Sequence, residues 1–91
     1  MTNYIQQVTA HLACRLPRCE MDLIDLYALL VLARGENTTL QDVHDAWSIW
    51  RNTGDPLHRS LVPFNQLATE VQELDRKYMN VIHDGAKAVA R

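Results

Sequence analysis

The chain is poor in residues that break or staple a backbone. Three glycines and three prolines are spread over 91 residues, which excludes collagen-like and low-complexity architectures. Two cysteines, Cys14 and Cys19, are too few for a disulfide scaffold. Pro17 lies between them and a bend there leaves a disulfide geometrically conceivable, but two reduced, packing thiols are the expectation. A zinc site takes about four ligands, and only a coincidence of folding would bring His11 and His83 to complete one. Neither sign of charge is in excess. Nine basic residues against eleven acidic ones give a net charge of −2, so no strong field draws nucleic acid or an anionic membrane. The longest apolar run, residues 26–33, falls far short of the roughly 18 residues of a membrane span. The first residues show no basic stretch followed by an apolar one, and cytoplasmic residence is the expectation. A Gly-rich phosphate loop, paired metal-ligand spacing and a nucleophile elbow are also missing. Ser48 and Ser60 stand near histidines in sequence, a pairing common by chance. No enzyme and no cofactor are expected.

What is present is an apolar content of 47%, with two Trp, three Tyr and one Phe. That suffices for one core in one domain. A chain of this size buries only about 60–65% of the surface its unfolded form exposes, which makes oligomerisation plausible. The periodicities predict an all-α fold: a compact four-helix single domain over residues 1–91, with a long proline-containing connector between helices 3 and 4.

The first helix is predicted over residues 3–14, where Tyr4, Ile5, Val8 and Leu12 repeat at helical spacing. Its other face, Asn3, Gln6, Gln7 and His11, carries no Lys, Arg, Asp or Glu. Such a face suits an ordinary edge helix, and it also suits a homodimer formed through this helix. Leu16-Pro17 ends it, because a residue before proline avoids the α region. The second helix, residues 21–34, is apolar almost all round and reads as central and buried. Asp22, Asp25 and Arg34 complement its dipole, and Gly35 supplies a left-handed cap. The third helix starts at Thr38 or Thr39, with Thr39-x-x-Asp42 as a near capping box. Leu40, Val43, Trp47 and Trp50 form its narrow apolar stripe. Residues 52–56, Asn-Thr-Gly-Asp-Pro, end it by turn chemistry.

The connector, residues 57–64, is too apolar to float. Leu61, Val62 and Phe64 are expected to lie across the core, with Pro63 fixing the backbone. The fourth helix is predicted from Thr69, capped by Thr69-x-x-Gln72, with Val71, Leu74, Tyr78, Val81, Ile82 and Val89 on its apolar face. Gly85 is expected to weaken it and leave the end beyond frayed.

Three motifs follow one another: Val43-His44-x-x-Trp47, then Leu61-Val62-Pro63-Phe64 with Leu67, then Leu74-Asp75-Arg76. Order and spacing resemble the ryanodine-receptor repeat, the RyR domain, over a motif-bearing part of about residues 40–82. Phe64 stands where that family carries Tyr, Gly54 alone remains of its aromatic-rich "G-W-x-Y-G", and the first forty residues match it only loosely. The chain also looks similar to a small family of actinobacteria and their phages that carries "L-Y-A-L-L-V", "V-H-D-A-W" and "V-P-F", matched at residues 26–31, 43–47 and 62–64. The resemblance implies a helical module for contacts or ligand binding and brings no reaction.

Within the motifs, His44, Pro63, Phe64, Asp75 and Arg76 read as structural. His44 lies one position off the apolar stripe, and its ring nitrogens are expected to be satisfied by backbone or by Asp75. Asp75 and Arg76, neighbours that point apart on a helix, are expected to tie the connector to the helices, since a buried unpaired charge costs several kcal/mol. Trp47, Trp50, Arg51, His58 and Arg59 are the candidate binding residues. They suit a protein partner, for instance a host factor bound by a phage accessory protein, or a nucleotide-like small anion gathered with His44. Arg51 can also stack on an indole with no ligand involved. Helices 2 and 3 could be taken for a DNA-binding helix-turn-helix, but Asp42 and Asp45 in the would-be recognition helix would repel phosphates.

Overall fold

The computed structural model describes residues 2–89. Helix α1 runs Tyr4–Arg15, α2 Met21–Ala33, α3 Leu40–Gly54, a one-turn α4 Thr69–Glu73, and α5 Arg76–Ala88, with 3-10 turns at Gly35–Asn37 and Phe64–Gln66. No strand occurs among the described residues. The predicted all-α fold is present, with four substantial helices and the connector before the last. Among the described residues no helix is long and apolar enough to cross a membrane.

Two capping boxes start helices as the side chains require. Asn3 Oδ1 accepts from the Gln6 amide at 2.8 Å while Gln6 Oε1 accepts from the Asn3 amide at 3.1 Å. Thr39 and Asp42 make the same reciprocal pair at 3.1 and 3.0 Å. Arg34 Nε also reaches Asp42 at 3.0 Å. Burial pushes the Asp42 carboxyl up, but the hydrogen bonds from Thr39 and Arg34 outweigh it and hold the group below the usual carboxylate range. Gly35 adopts φ +56°, the left-handed region that favours glycine at a helix end.

The core is centred on α2, which packs against α1, α3 and α5. Its Ile24 and Tyr27 meet Val8 and Leu12 of α1, Val43 of α3 and Ile82 of α5, each 0–1% exposed. Burying an aliphatic side chain of this size contributes about 1.5–3 kcal/mol. The turn between α2 and α3 is tied to α5 by His83, whose Nε2 donates to the Thr38 carbonyl at 2.8 Å.

Several expectations need correction. The uncharged start of α1 is exposed, with Tyr4 at 54% and Ile5 at 40%, so its apolar stripe is buried only at Val8 and Leu12. The fourth helix is not continuous. It tightens at Leu74 and Asp75, whose amides bond three residues back to Val71 and Gln72, and this turns Leu74 outward to 68% exposure. Thr69 and Gln72 form no capping box, because Ala68 takes the cap position. Gly85 does not fray the end of α5, which continues to Ala88. A Cβ at Gly85 would stand 3.4 Å from His11 Cδ2 and Val31 Cγ2 and 3.5 Å from Leu12 Cδ2, so the missing side chain lets α5 settle against α1 and α2. His11 Nε2 is enclosed there without a partner.

That contact makes the position size-limited. Gly85→Ala is expected to stay within about 1 kcal/mol of the parent, helix propensity offsetting a tight fit. Gly85→Leu is expected to cost about 1–3 kcal/mol or more through overpacking. Urea denaturation of both variants checks the difference.

Candidate functional site

The connector is held by side chains from both flanking helices. Buried His44 of α3 points its Nε2 at the Val62 carbonyl, 2.7 Å away. A carbonyl only accepts, so Nε2 carries the proton. Ser48 Oγ, at 3.4 Å from the same nitrogen, therefore meets a donor and has no base to activate it. From α4, Gln72 Nε2 donates to the carbonyls of Phe64 at 3.0 Å and Leu67 at 3.2 Å. The connector closes on itself where His58 Nδ1 accepts the Ser60 amide at 3.0 Å. His44 thus meets the backbone, as expected of it. Arg76 does not. It is exposed and forms a local pair with Glu73 three residues earlier, Nε to Oε2 at 2.7 Å, because the break after Glu73 carries both side chains to the surface. Leu61, Val62 and Phe64 are half-buried and Leu57 is 92% exposed. The connector lines the side of the fold and does not cross the core.

Between the connector, α3 and the start of α2 lies a cleft of about 450 Å³. The segment before α2 contributes Arg18, Cys19 and Glu20, α2 contributes Leu23 and Tyr27, and α3 contributes His44, Trp47 and Trp50. His58 and Ser60 of the connector and Val71, Leu74, Asp75 and Tyr78 complete it. Its aromatic groups hold one another. Trp47 stacks on His44 with centroids 5.8 Å apart and meets His58 edge-on at 5.2 Å. Tyr27 and Tyr78 are 5.8 Å apart.

The predicted binding residues divide. Trp47, Trp50 and His58 line the cleft together with His44 and Asp75. Arg51 does not line it, for its guanidinium lies 4.8 Å from the Trp50 centroid and 5.8 Å from that of Trp47. Its Nε is buried without a hydrogen bond. Arg59 is exposed and outside the cleft. The anion-binding set expected from the sequence is therefore not assembled, and Pro63 and Phe64 stay outside the cleft as parts of the connector.

The polar chemistry of the cleft is carried by groups read from the sequence as scaffold. Burial raises the Asp75 carboxyl above its ordinary range, and the nearby His44 imidazole acts weakly in the opposite direction. Asp75 makes no side-chain cap bond to α5, and no hydrogen bond or ion pair ties its carboxylate to another described residue. Burial, then Cys19 and Asp75, push the Tyr27 hydroxyl far above the usual tyrosine range. Burial likewise raises the Cys19 thiol, against the pull of Lys77, which keeps it un-ionised and a poor nucleophile. Both cysteines are free. No group of three or more His, Cys, Asp or Glu side chains among the described residues is placed to hold a metal. Tyr27 and Tyr78 read in the sequence as apolar positions. The one available signal was a hydroxyl, that of Tyr27, on a helix otherwise apolar almost all round, since a buried phenol usually seeks a partner.

A family model described as a domain of unknown function, DUF7701, matches residues 3–87. The chain belongs to that family. The match spans α1 through all but the last residue of α5, so the cleft lies wholly within the DUF7701 domain. No curated protein and no solved structure matches the chain.

The unpaired carboxylate sets a pH test. With a raised folded pKa, the native chain binds the Asp75 proton more tightly than the unfolded chain does. The ionised form therefore subtracts stability above the folded pKa and subtracts none below the unfolded value. Asp75→Asn is expected to melt higher than the parent at pH 7, with the advantage shrinking as pH falls through the folded pKa. A lower melting temperature at pH 7 would show that the carboxylate has a stabilising partner.

Proposed function

We propose that the chain is a non-enzymatic protein-interaction module whose partner seats a side chain in the Trp47–Trp50 cleft. The observation that carries this reading is the cleft itself. Both tryptophans of the chain stand half-buried in one concavity, with Leu74 on its lining at 68% exposure and Leu57, next to His58, at 92%. Tryptophan is among the residues most enriched in binding hot spots. The resemblance to the RyR domain supports the same class of role. The likeness to actinobacterial and phage chains favours a phage accessory protein acting on a host factor in the cytoplasm. Exposed Tyr4 and Ile5 on the uncharged start of the first helix support a homodimer as a second contact, separate from the cleft.

A small-ligand sensor is the second reading, favoured by the volume of the cleft, which lies in the range of small-molecule sites. The nucleotide-like anion is its weaker form, because Arg51 and Arg59 lie outside the cleft and Asp75 lies inside it. Neither the fold nor the charge supports DNA binding, since Asp42 is engaged with Thr39 and Arg34 and Asp45 is exposed on α3.

The reading is tested by affinity capture from an actinobacterial host with the tagged protein and with Trp50→Ala. A hot-spot tryptophan is worth about 2 kcal/mol or more on truncation, so the captured partner is expected to be lost from the variant while its circular dichroism stays that of the parent. A partner retained undiminished by Trp50→Ala would overturn the cleft as the interface. A thermal shift with a nucleotide panel would favour the sensor, a ligand at 100 times its Kd adding about 2.7 kcal/mol.

A further inference from the structure

The charge placement within the cleft says which kind of side chain fits. Asp75 is half-buried and has no hydrogen-bond or ion-pair partner among the described residues, and the fold makes no use of it as a helix cap. Its oxygens still reach solvent, since the enclosed side-chain polar atoms without a partner among the described residues are those of His11 and Arg51, but partial burial with no cation set against it disfavours the charged form. The other charged lining groups, Arg18 and Glu20, are both exposed and opposite in sign, so the inner charge of the cleft is that of Asp75. The Tyr27 hydroxyl, close enough to feel Asp75, likewise makes no hydrogen bond to another described residue. Around these acceptors stand the rings of Trp47, Trp50 and Tyr78, whose faces attract cations. Arg51 already lies against Trp50 from outside the cleft, which shows that this indole packs with a guanidinium.

We propose that the cleft is a receptor for a cationic side chain, a lysine or arginine presented by the protein partner, with Asp75 as its counter-ion and the aromatic rings as the sleeve around its aliphatic stem. The inference rests on the interaction reading above and adds the chemistry of the partner. A lysine ammonium brings three donors and no acceptor, which suits the Asp75 carboxylate and the Tyr27 hydroxyl. An acidic or phosphorylated side chain would face Asp75 without a paired cation at depth. His44 cannot turn to help it, because its Nε2 proton is already given to Val62.

Since both tryptophans line the cleft, their fluorescence reports its occupancy directly. The full chain is titrated at pH 7 with the Nα-acetyl N-methylamides of lysine, arginine, norleucine and glutamate. Lysine or arginine is expected to saturate the signal at concentrations at least about tenfold below norleucine, the stem without the charge, and glutamate is expected to give no saturation. Asp75→Asn, which keeps the size of the side chain and removes its charge, is expected to remove that preference. Tyr27→Phe, a second variant that deletes only the hydroxyl, is expected to weaken lysine binding with little effect on norleucine. Norleucine binding as tightly as lysine, saturation by glutamate, no saturable response to any probe, or a preference unchanged in Asp75→Asn would each overturn the proposal. The two readings fail separately. A captured partner that needs Trp50 and is indifferent to Asp75→Asn would end the cationic inference and leave the interaction module. Amine binding that needs Asp75, with capture indifferent to Trp50→Ala, would end the protein interface and leave a cation-selective cleft.

Discussion

The hydrogen bond from His44 to the Val62 carbonyl is the constraint on which the cleft depends. It joins residues 18 positions apart and fixes three things together. It holds the connector against α3, it sets the histidine tautomer, and it turns the imidazole into a wall on which Trp47 stacks. A neutral bond of this kind contributes only about 1 kcal/mol net, but leaving the carbonyl without a donor would cost about 1–3 kcal/mol. Gln72 reinforces it from the other side by gripping the Phe64 and Leu67 carbonyls. The stretch between α3 and α5 contributes no residue to the buried core. Its position therefore comes from these side-chain-to-backbone bonds more than from burial.

The molecule has two regimes. Around α2 the packing is close and complete, with Tyr27, Ile24, Leu12, Val8, Val43 and Ile82 fully buried and Gly85 making room for α1. On the cleft side, polar groups are left over: the Asp75 carboxylate, the Tyr27 hydroxyl and a raised Cys19 thiol. Tyr27 belongs to both, its ring in the core and its polar end toward the cleft. A small domain has little stability to spare, so the proposed binding role rests on polar groups left without a protein partner in one concavity.

Much of the helical layout was legible because its signals are local. Gly35, the Thr39–Asp42 box and the largely apolar surface of α2 each act within a turn or two of the chain. The Asn3–Gln6 box was equally local and could have been read the same way. Contacts between distant segments were not legible. Nothing near Leu74 and Asp75 is a proline or glycine, so the break that exposes Leu74 and frees Arg76 to pair with Glu73 has no local mark. His83 and Thr38 are 45 residues apart, and no spacing rule joins them. Of the motif residues, His44, Trp47, Leu74 and Asp75 converge on the cleft, joined by Trp50 and His58, but the roles of the charges were reversed. The arginines expected in the site stack or face solvent, and the aspartate expected as a tie lines the cleft unpaired.

The most direct test of this account is hydrogen exchange in His44→Leu, which keeps comparable bulk and removes the donor. The connector amides of Ser60, Leu61, Gln66 and Leu67 are hydrogen-bonded in the parent and serve as reporters. The account predicts that these amides lose protection selectively, while those of α1, α2 and α5 keep theirs. Unchanged protection in the connector, or an equal loss throughout the chain, would contradict the claim that His44 holds the connector and with it the cleft.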